Sequence, residues 1–406
     1  FNLNKMKKFL LLSCLVGCLP LFAQTQPTDS VPEPEGYRFT EVKKLKTGPV
    51  QNQGSSGTCW SFSMLSFLAD DFVRDGKPEV HLSEMFVVRY AYLEKAIKCV
   101  RMHGAMPLAE GGAAYDVLYI IRKYGIVPNE VYDGLNYGSD THRHGELSKI
   151  LKSYTDVIIS NPNKKLSTAW LDGLNGILDA YLGKVPETFV YQGKSFTPQS
   201  FAEYLGFDID NYVSVTSFTH HPFYEKFALE LPDNWLWSDS YNVPLDDMKR
   251  CVYHALDNDR PVMWASDVSE KGFQWKKGIA VVPKEKVKED MSDTELARWV
   301  KLSAKDREEE QYKLEAPGEE MTITQELRQT AFDDYSTTDD HGMEIVGTAT
   351  DQIGHPYFIV KNSWDTNAVY DGFFYASEPY FLYKTTSILV NKKALPKDVR
   401  KKLSIK

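Results

Sequence analysis

Gln51-Asn52-Gln53-Gly54-Ser55-Ser56-Gly57-Thr58-Cys59-Trp60-Ser61-Phe62 is the stretch on which the reading of this chain turns. A cysteine follows a Gly/Ser-rich turn and precedes an apolar helical pattern. Phe62, Leu65, Phe67, Leu68 and Phe72 cluster towards one side of a helix predicted over Cys59–Arg74. Cys59 then stands at a helix N-terminus, where the helix dipole favours a thiolate and lowers the thiol pKa. Gln53, six residues earlier across the turn, can bring its amide N–H back beside the sulfur. With the backbone N–H of Cys59 it makes a candidate oxyanion site. A cysteine at a helix start is by itself more often a core residue. The combination Gln-x-Gly-x-x-Gly-x-Cys-Trp, which includes Trp60, argues for a nucleophile.

A thiol nucleophile needs a proton partner. Of nine histidines, His341 is the best placed. Asp340-His341-Gly342-Met343 leads into the strand EIVGTAT, and a hairpin returns through YFIVKNSW. Asn362 comes back on the neighbouring strand, where its carbonyl can orient the imidazole. Trp364, two residues on, can shield that hydrogen bond from water. Glu110-Gly111-Gly112 forms a third block, ahead of YDVLYIIRKYGIVPNEVYDG. By itself the glycine pair reads equally well as a turn.

The remaining pattern is mixed. Helices are predicted over Ala113–Tyr124, stopped by Gly125, and over Leu245–Asp257, where Cys251 reads as a small core residue. Strands are predicted over Pro261–Ala265, Glu344–Thr350, Tyr357–Lys361 and Gly372–Ala376. A charged helical stretch covers Lys284–Glu310. Helices come first and strands later, which is the order of an α+β protein.

The chain has 406 residues, 42% hydrophobic and 25% charged, as in ordinary globular proteins. No apolar run reaches about 18 residues, which excludes a polytopic membrane protein. Residues 1–23 read as an export signal, with Lys7 and Lys8 ahead of the apolar stretch Phe9–Ala23 and cleavage after Ala23. The alternative is a lipoprotein box, Leu15-Val16-Gly17-Cys18, which would anchor the protein to a membrane through Cys18. The expected location is therefore periplasmic or secreted. Without the three lysines of this segment, the net charge of −9 becomes −12, which argues against nucleic-acid partners. Cleavage leaves Cys59, Cys99 and Cys251, too few for a disulfide scaffold. Residues 24–35, QTQPTDSVPEPE, read as a linker. His142 and His144, and the pair His220-His221, lack the spacing of a metal site and read as exposed or loop histidines. No metal is expected. Asp267 reads as a turn cap, or else as part of a cleft wall.

Taken together, these residues resemble the papain superfamily of cysteine peptidases, and within it the bleomycin hydrolase or aminopeptidase C branch. The resemblance makes Cys59 the nucleophile, His341 the base, Asn362 its orienting partner and Gln53 the oxyanion-hole glutamine. It makes Gly111 and Gly112 a substrate-binding segment, with Trp60 and Trp364 in support. Cys59 and His341 lie 282 residues apart, about twice the papain interval, and this branch carries such an insertion. The segments VSVTSFTHHPFY, DRPVMWASDVSEKGF and YKTTSILVNKKALPKDVRKKL carry the likeness further. Ser56 and Ala109 stand where papain has paired cysteines, as expected for the branch.

The fold implied is an α+β, papain-like, two-lobed one with a large, mainly helical insertion. Residues 36–130 form the helical lobe, 131–330 the insertion and lobe connection, and 331–406 the β lobe and tail. The activity implied is hydrolysis of peptide substrates without a cofactor, in a homo-hexamer. The rival from another class is a peptide-binding protein without turnover. In this branch a C-terminal arm lies in the cleft and its carboxylate pairs with the substrate's α-ammonium, which makes an aminopeptidase. Relatives continue about 15 residues beyond Leu403, a shortfall of roughly 50 Å at about 3.3–3.6 Å per extended residue. An arm that falls short would instead leave an endopeptidase. Only 23 residues separate Gly36 from Cys59, so no inhibitory prosegment is expected.

Overall fold

The computed structural model describes residues 36–286 and 291–406. The export signal with Cys18, the linker, and four residues of the charged stretch lie outside them.

The Cys59 helix runs over Cys59–Arg74, as its apolar stripe predicts, and Gly76, with φ of 78°, turns the chain after it. Its buried face packs into a helical core with Glu84–Arg101 and Ala114–Tyr124. Ser83 caps the second of these by accepting from the Phe86 N–H at 3.0 Å. Residues 145–205 enlarge the same core through the helices Gly145–Ile159, Ala169–Leu182 and Pro198–Leu205.

The other side of the molecule is an eleven-stranded sheet. Its centre runs Thr385–Asn391, Val262–Ser266, His341–Asp351, Pro356–Lys361 and Phe373–Ser377, each antiparallel to the next. Tyr212–Thr216 extends one side, and Phe39–Lys44 pairs with His341–Asp351. The stretch 131–330 therefore serves both halves: its first part thickens the helical core, and its second threads strands into the sheet. Leu245–Asp257 packs on that sheet with Cys251 fully buried. The charged stretch forms two short helices, Asp293–Trp299 and Ala304–Gln311, with no buried residue in either.

His341–Asp351 is buried almost throughout. It ends in a tight hairpin: Asp351 Oδ1 accepts from Ile353 N–H at 3.0 Å and His355 N–H at 2.9 Å, and Gly354 has φ of 92°. That hairpin returns the chain to Asn362. The buried carboxylate of Asp71 ties the Cys59 helix to the sheet. It accepts from Arg260 at 2.5 Å, Tyr212 at 3.0 Å and Asn391 at 2.9 Å. At the other end of the chain, Leu403 and Ile405 pack into the sheet-side core, and Lys402 meets Asp247 at 3.3 Å.

Candidate functional site

The helix that starts at Cys59 lies against the start of the His341 strand. A Cβ on Gly342 would stand 2.7 Å from Ser63 Oγ and 3.3 Å from Trp60 Cα. A side chain there would push the strand off the helix, and with it His341. Thr58, ahead of the helix, makes no side-chain cap, and its carbonyl takes up the Ser61 and Phe62 N–H groups, which leaves those of Cys59 and Trp60 uncapped.

Asn362 Oδ1 lies 2.7 Å from His341 Nε2 and also accepts from the Ser363 N–H at 2.8 Å. The second bond identifies that atom as the amide oxygen. Nε2 must then carry the proton, which leaves Nδ1 as the acceptor. Both side chains are buried, at 4% and 3% exposure. Trp364 covers the imidazole with ring centroids 4.5 Å apart, and is itself braced by Phe273 and Trp275.

Gln53 is oriented as tightly. Its Nε2 donates to Ser56 O at 2.7 Å, and its Oε1 accepts from Ser363 Oγ at 2.7 Å. One amide hydrogen is left over for an incoming oxygen. Ser363 thus ties the Gln53 turn to Asn362, and its carbonyl also accepts from the Gln53 N–H at 2.9 Å. It stood in the motif YFIVKNSW without an assigned role. The signal for it is adjacency: a hydroxyl one residue after a buried amide can reach the opposite wall.

Trp60 Nε1 donates to Glu110 O at 3.0 Å, and a Cβ on Gly112 would stand 2.9 Å from the Trp60 ring. Glycine is required at 112 because a side chain would meet the Trp60 indole, and at 111 because it would meet the Asp233 carboxylate. The structure brings together Gln53, Cys59, Trp60, Gly111, Gly112, His341, Asn362 and Trp364. Asp267 caps its turn: Oδ1 accepts from Ser269 N–H at 3.0 Å and Oδ2 from Thr338 N–H at 2.9 Å.

One expectation needs correction. The Cys59 thiol is pushed up, not down as its helix N-terminus predicts. Burial pushes its thiol up to about 12, against the pull of the Gly342 and Trp60 N–H groups, and the charges of Asp339 and Asp233 push the same way. Burial likewise pushes His341 down to about 4, and its bond to Asn362 only partly opposes this. Burial thus opposes a charge on either side chain alone, and each charge is best stabilised with the other as its counter-charge. His144 lies in a loop, one of the two alternatives read from the sequence, and is not exposed. It is fully buried beneath the Gln53 turn, 2.9 Å from Tyr92 Oη, with burial pushing it down to about 4.

The profile of the Peptidase C1-like family matches residues 37–297, which contain Gln53, Cys59, Gly111 and Gly112. The profile of papain family cysteine proteases matches residues 319–384, which contain His341 and Asn362. Aminopeptidase C of Lactobacillus delbrueckii subsp. lactis is 25% identical over 402 residues, covering 88% of this chain and 82% of that protein. Aminopeptidase C of Lactococcus lactis subsp. cremoris is 24% identical over 391 residues, covering 87% and 83%. Among solved structures, PepW from Lactobacillus rhamnosis superposes with a TM-score of 0.67 at 21% identity, over 90% of this chain and 84% of that one. That likeness is one of fold.

Proposed function

We propose that this chain, which belongs to the Peptidase C1-like family, is a cysteine-type aminopeptidase whose chemistry runs through Cys59, His341 and Asn362. The Cys59 sulfur attacks the carbonyl carbon of the first peptide bond as His341 Nδ1 takes the thiol proton. The oxyanion is received by the Cys59 backbone N–H and the spare amide hydrogen of Gln53. When the C–N bond breaks, the imidazolium gives its proton to the leaving amine. Water, deprotonated by the same imidazole, then hydrolyses the thioester and regenerates the thiol. Gly111 and Gly112 offer their backbone to the substrate.

The observation that carries this reading is the buried 2.7 Å His341–Asn362 bond beneath Trp364, on a strand whose next residue lies against the Cys59 helix. The test is hydrolysis of an aminoacyl coumarylamide by the wild type and by Cys59→Ala. The variant should fold, by circular dichroism, and release no coumarin; release at the normal rate would end the proposal.

Two further parts of the reading concern location and assembly. Export is supported by the Lys7–Ala23 leader pattern and is tested by cell fractionation. A hexamer is supported by the family resemblance, and a light-scattering mass near one chain would remove it.

A further inference from the structure

We propose that Glu110 sets the oxyanion site: its side chain fixes the peptide plane from which the Gln53 amide is aimed. The proposal rests on the peptidase reading above and adds a positioning residue to it.

Glu110 meets the chain on both sides of the nucleophile. Its Oε2 accepts from the Gly57 N–H at 2.7 Å, two residues before Cys59. Its carbonyl accepts from Trp60 Nε1 at 3.0 Å, one residue after. Glycine at 57 lets the two stretches close up, because a Cβ there would stand 3.0 Å from Glu110 Cβ. Ser56 and Ala109, the residues just before this pair, cannot form a disulfide, so the tie between the stretches is polar.

The Gly57 N–H belongs to the same peptide unit as the Ser56 carbonyl, and that unit is planar. Holding its N–H end therefore sets the direction of its C=O end. The Ser56 carbonyl is the group to which Gln53 Nε2 donates at 2.7 Å. One amide hydrogen is used there, and that bond aims the other. Glu110 thus acts on Gln53 through the Ser56–Gly57 peptide. The turn is tied together internally as well: Ser56 Oγ donates to Gln53 O at 2.7 Å and lies 2.6 Å from Thr58 Oγ1.

A residue can position another only from a firm base. Lys95, buried in the helix Glu84–Arg101, donates to the carbonyls of Ala109, at 3.2 Å, and Gly111. Asp116 Oδ2 accepts from the Ala113 N–H at 2.9 Å, where the next helix begins. Residues 109–113 are thus fixed to two helices of the core, and Glu110 carries that rigidity to the turn.

The experiment measures kcat and KM on alanyl coumarylamide for the full chain as wild type, Glu110→Ala, Glu110→Gln, Gln53→Ala and the Gln53→Ala/Glu110→Ala double variant. Iodoacetamide alkylates Cys59 without forming an oxyanion, and so reports separately on the fold and the thiol. Gln53→Ala should lose about 10²-fold in kcat, as for removal of one oxyanion donor. Glu110→Ala should lose about tenfold, in kcat rather than KM, because a misaimed donor costs less than a missing one. Glu110→Gln, whose side-chain oxygen can accept the same N–H, should stay within about threefold of wild type. The double variant should be no slower than Gln53→Ala alone, because the donor that Glu110 aims is already gone. Alkylation of Glu110→Ala should match wild type. Losses that multiply in the double variant overturn the proposal, as does wild-type kcat in Glu110→Ala or an equal fall in Glu110→Gln. Slowed alkylation of Glu110→Ala overturns it too, by assigning Glu110 to the fold alone. In each of those cases an active wild type leaves the peptidase reading standing. A wild type without turnover overturns both.

Discussion

Two histidine sites in this protein are built with different partners and are suited to different work. His341 is buried, its partner is a neutral amide at 2.7 Å, and an indole lies over it. His220 and His221 are on the surface and share one carboxylate, each 3.1 Å from a different oxygen of Glu230. The three side chains have ligand atoms within 4.8 Å of one another, yet the bridging carboxylate already accounts for both imidazoles. The difference lies in the partner and the solvent. At the surface, a contact between charged groups is screened by water. A buried amide orients the ring without favouring a charge, so the ring stays free to accept a proton.

The largest effect expected from breaking this contrast is at His341. His341→Ala should lower kcat/KM by at least about 10³-fold, because base and leaving-group acid are lost together. Steady-state rates on the free-amine coumarylamide measure it, and a tenfold loss would place the base elsewhere.

The buried side has a second dependence. Lys361, next to Asn362, is buried and bonds Ser66 Oγ at 2.8 Å, with Asp70 at 3.5 Å and Glu344 at 3.8 Å. Burial and Asp70 raise Glu344 to about 8, with Lys361 opposing. Lys361→Met should destabilise the protein by about 3–5 kcal/mol above pH 8, where Glu344 is charged. The loss should shrink below pH 8 as Glu344 takes up a proton. Thermal unfolding of both proteins across pH 6–9 checks the sign as well as the size.

Asn362 sets the intermediate case. Asn362→Ala should cost about 10–100-fold in kcat through loss of ring orientation, as when an outer partner of a functional histidine is removed. The wild-type rate should fall on the acid side near pH 4, where His341 protonates and ceases to be a base. Asn362→Asp imports the surface chemistry into the buried site. A carboxylate stabilises imidazolium, so the acid limb should move to higher pH. An unmoved limb would mean that another group sets it. Glu230→Gln should do least, changing stability by about 1 kcal/mol or less and leaving kcat/KM unchanged.

Legibility in the sequence followed the same divide between local and distant causes. The helix from Cys59 to Arg74 was readable because one stripe of it is apolar. Glu84–Arg101, which packs beside it, was not. Arg89, Glu94 and Lys95 are buried in that helix and break the stripe. They are tolerated because Asp179 pairs with Arg89 at 2.6 Å, Lys123 with Glu94 at 2.6 Å, and backbone carbonyls take up Lys95. Those partners lie far along the chain. The strand beginning at His341 was found, but not its irregularity. The register slips between Ile345 and Gly347, so that Met343 and Ile345 face one core while Val346 and Ala349 face another. Strict alternation would have set Ala349 with Met343.

What the sequence by itself determined are the features written in short spans: the turn and helix around Cys59, the hairpin that returns Asn362 towards His341, and the tryptophan two residues on. Residue type and spacing suffice there because the interacting groups are chain neighbours or hairpin partners. The tertiary structure alone decided the electrostatics. The helix dipole argues for a lowered thiol at Cys59, but burial and the charges of Asp339 and Asp233, brought close by the fold, push it up instead. It also decided which acids act on that thiol. Asp233 lies 174 residues beyond Cys59 in the chain, and a charge acts through space, without regard to the length of chain between.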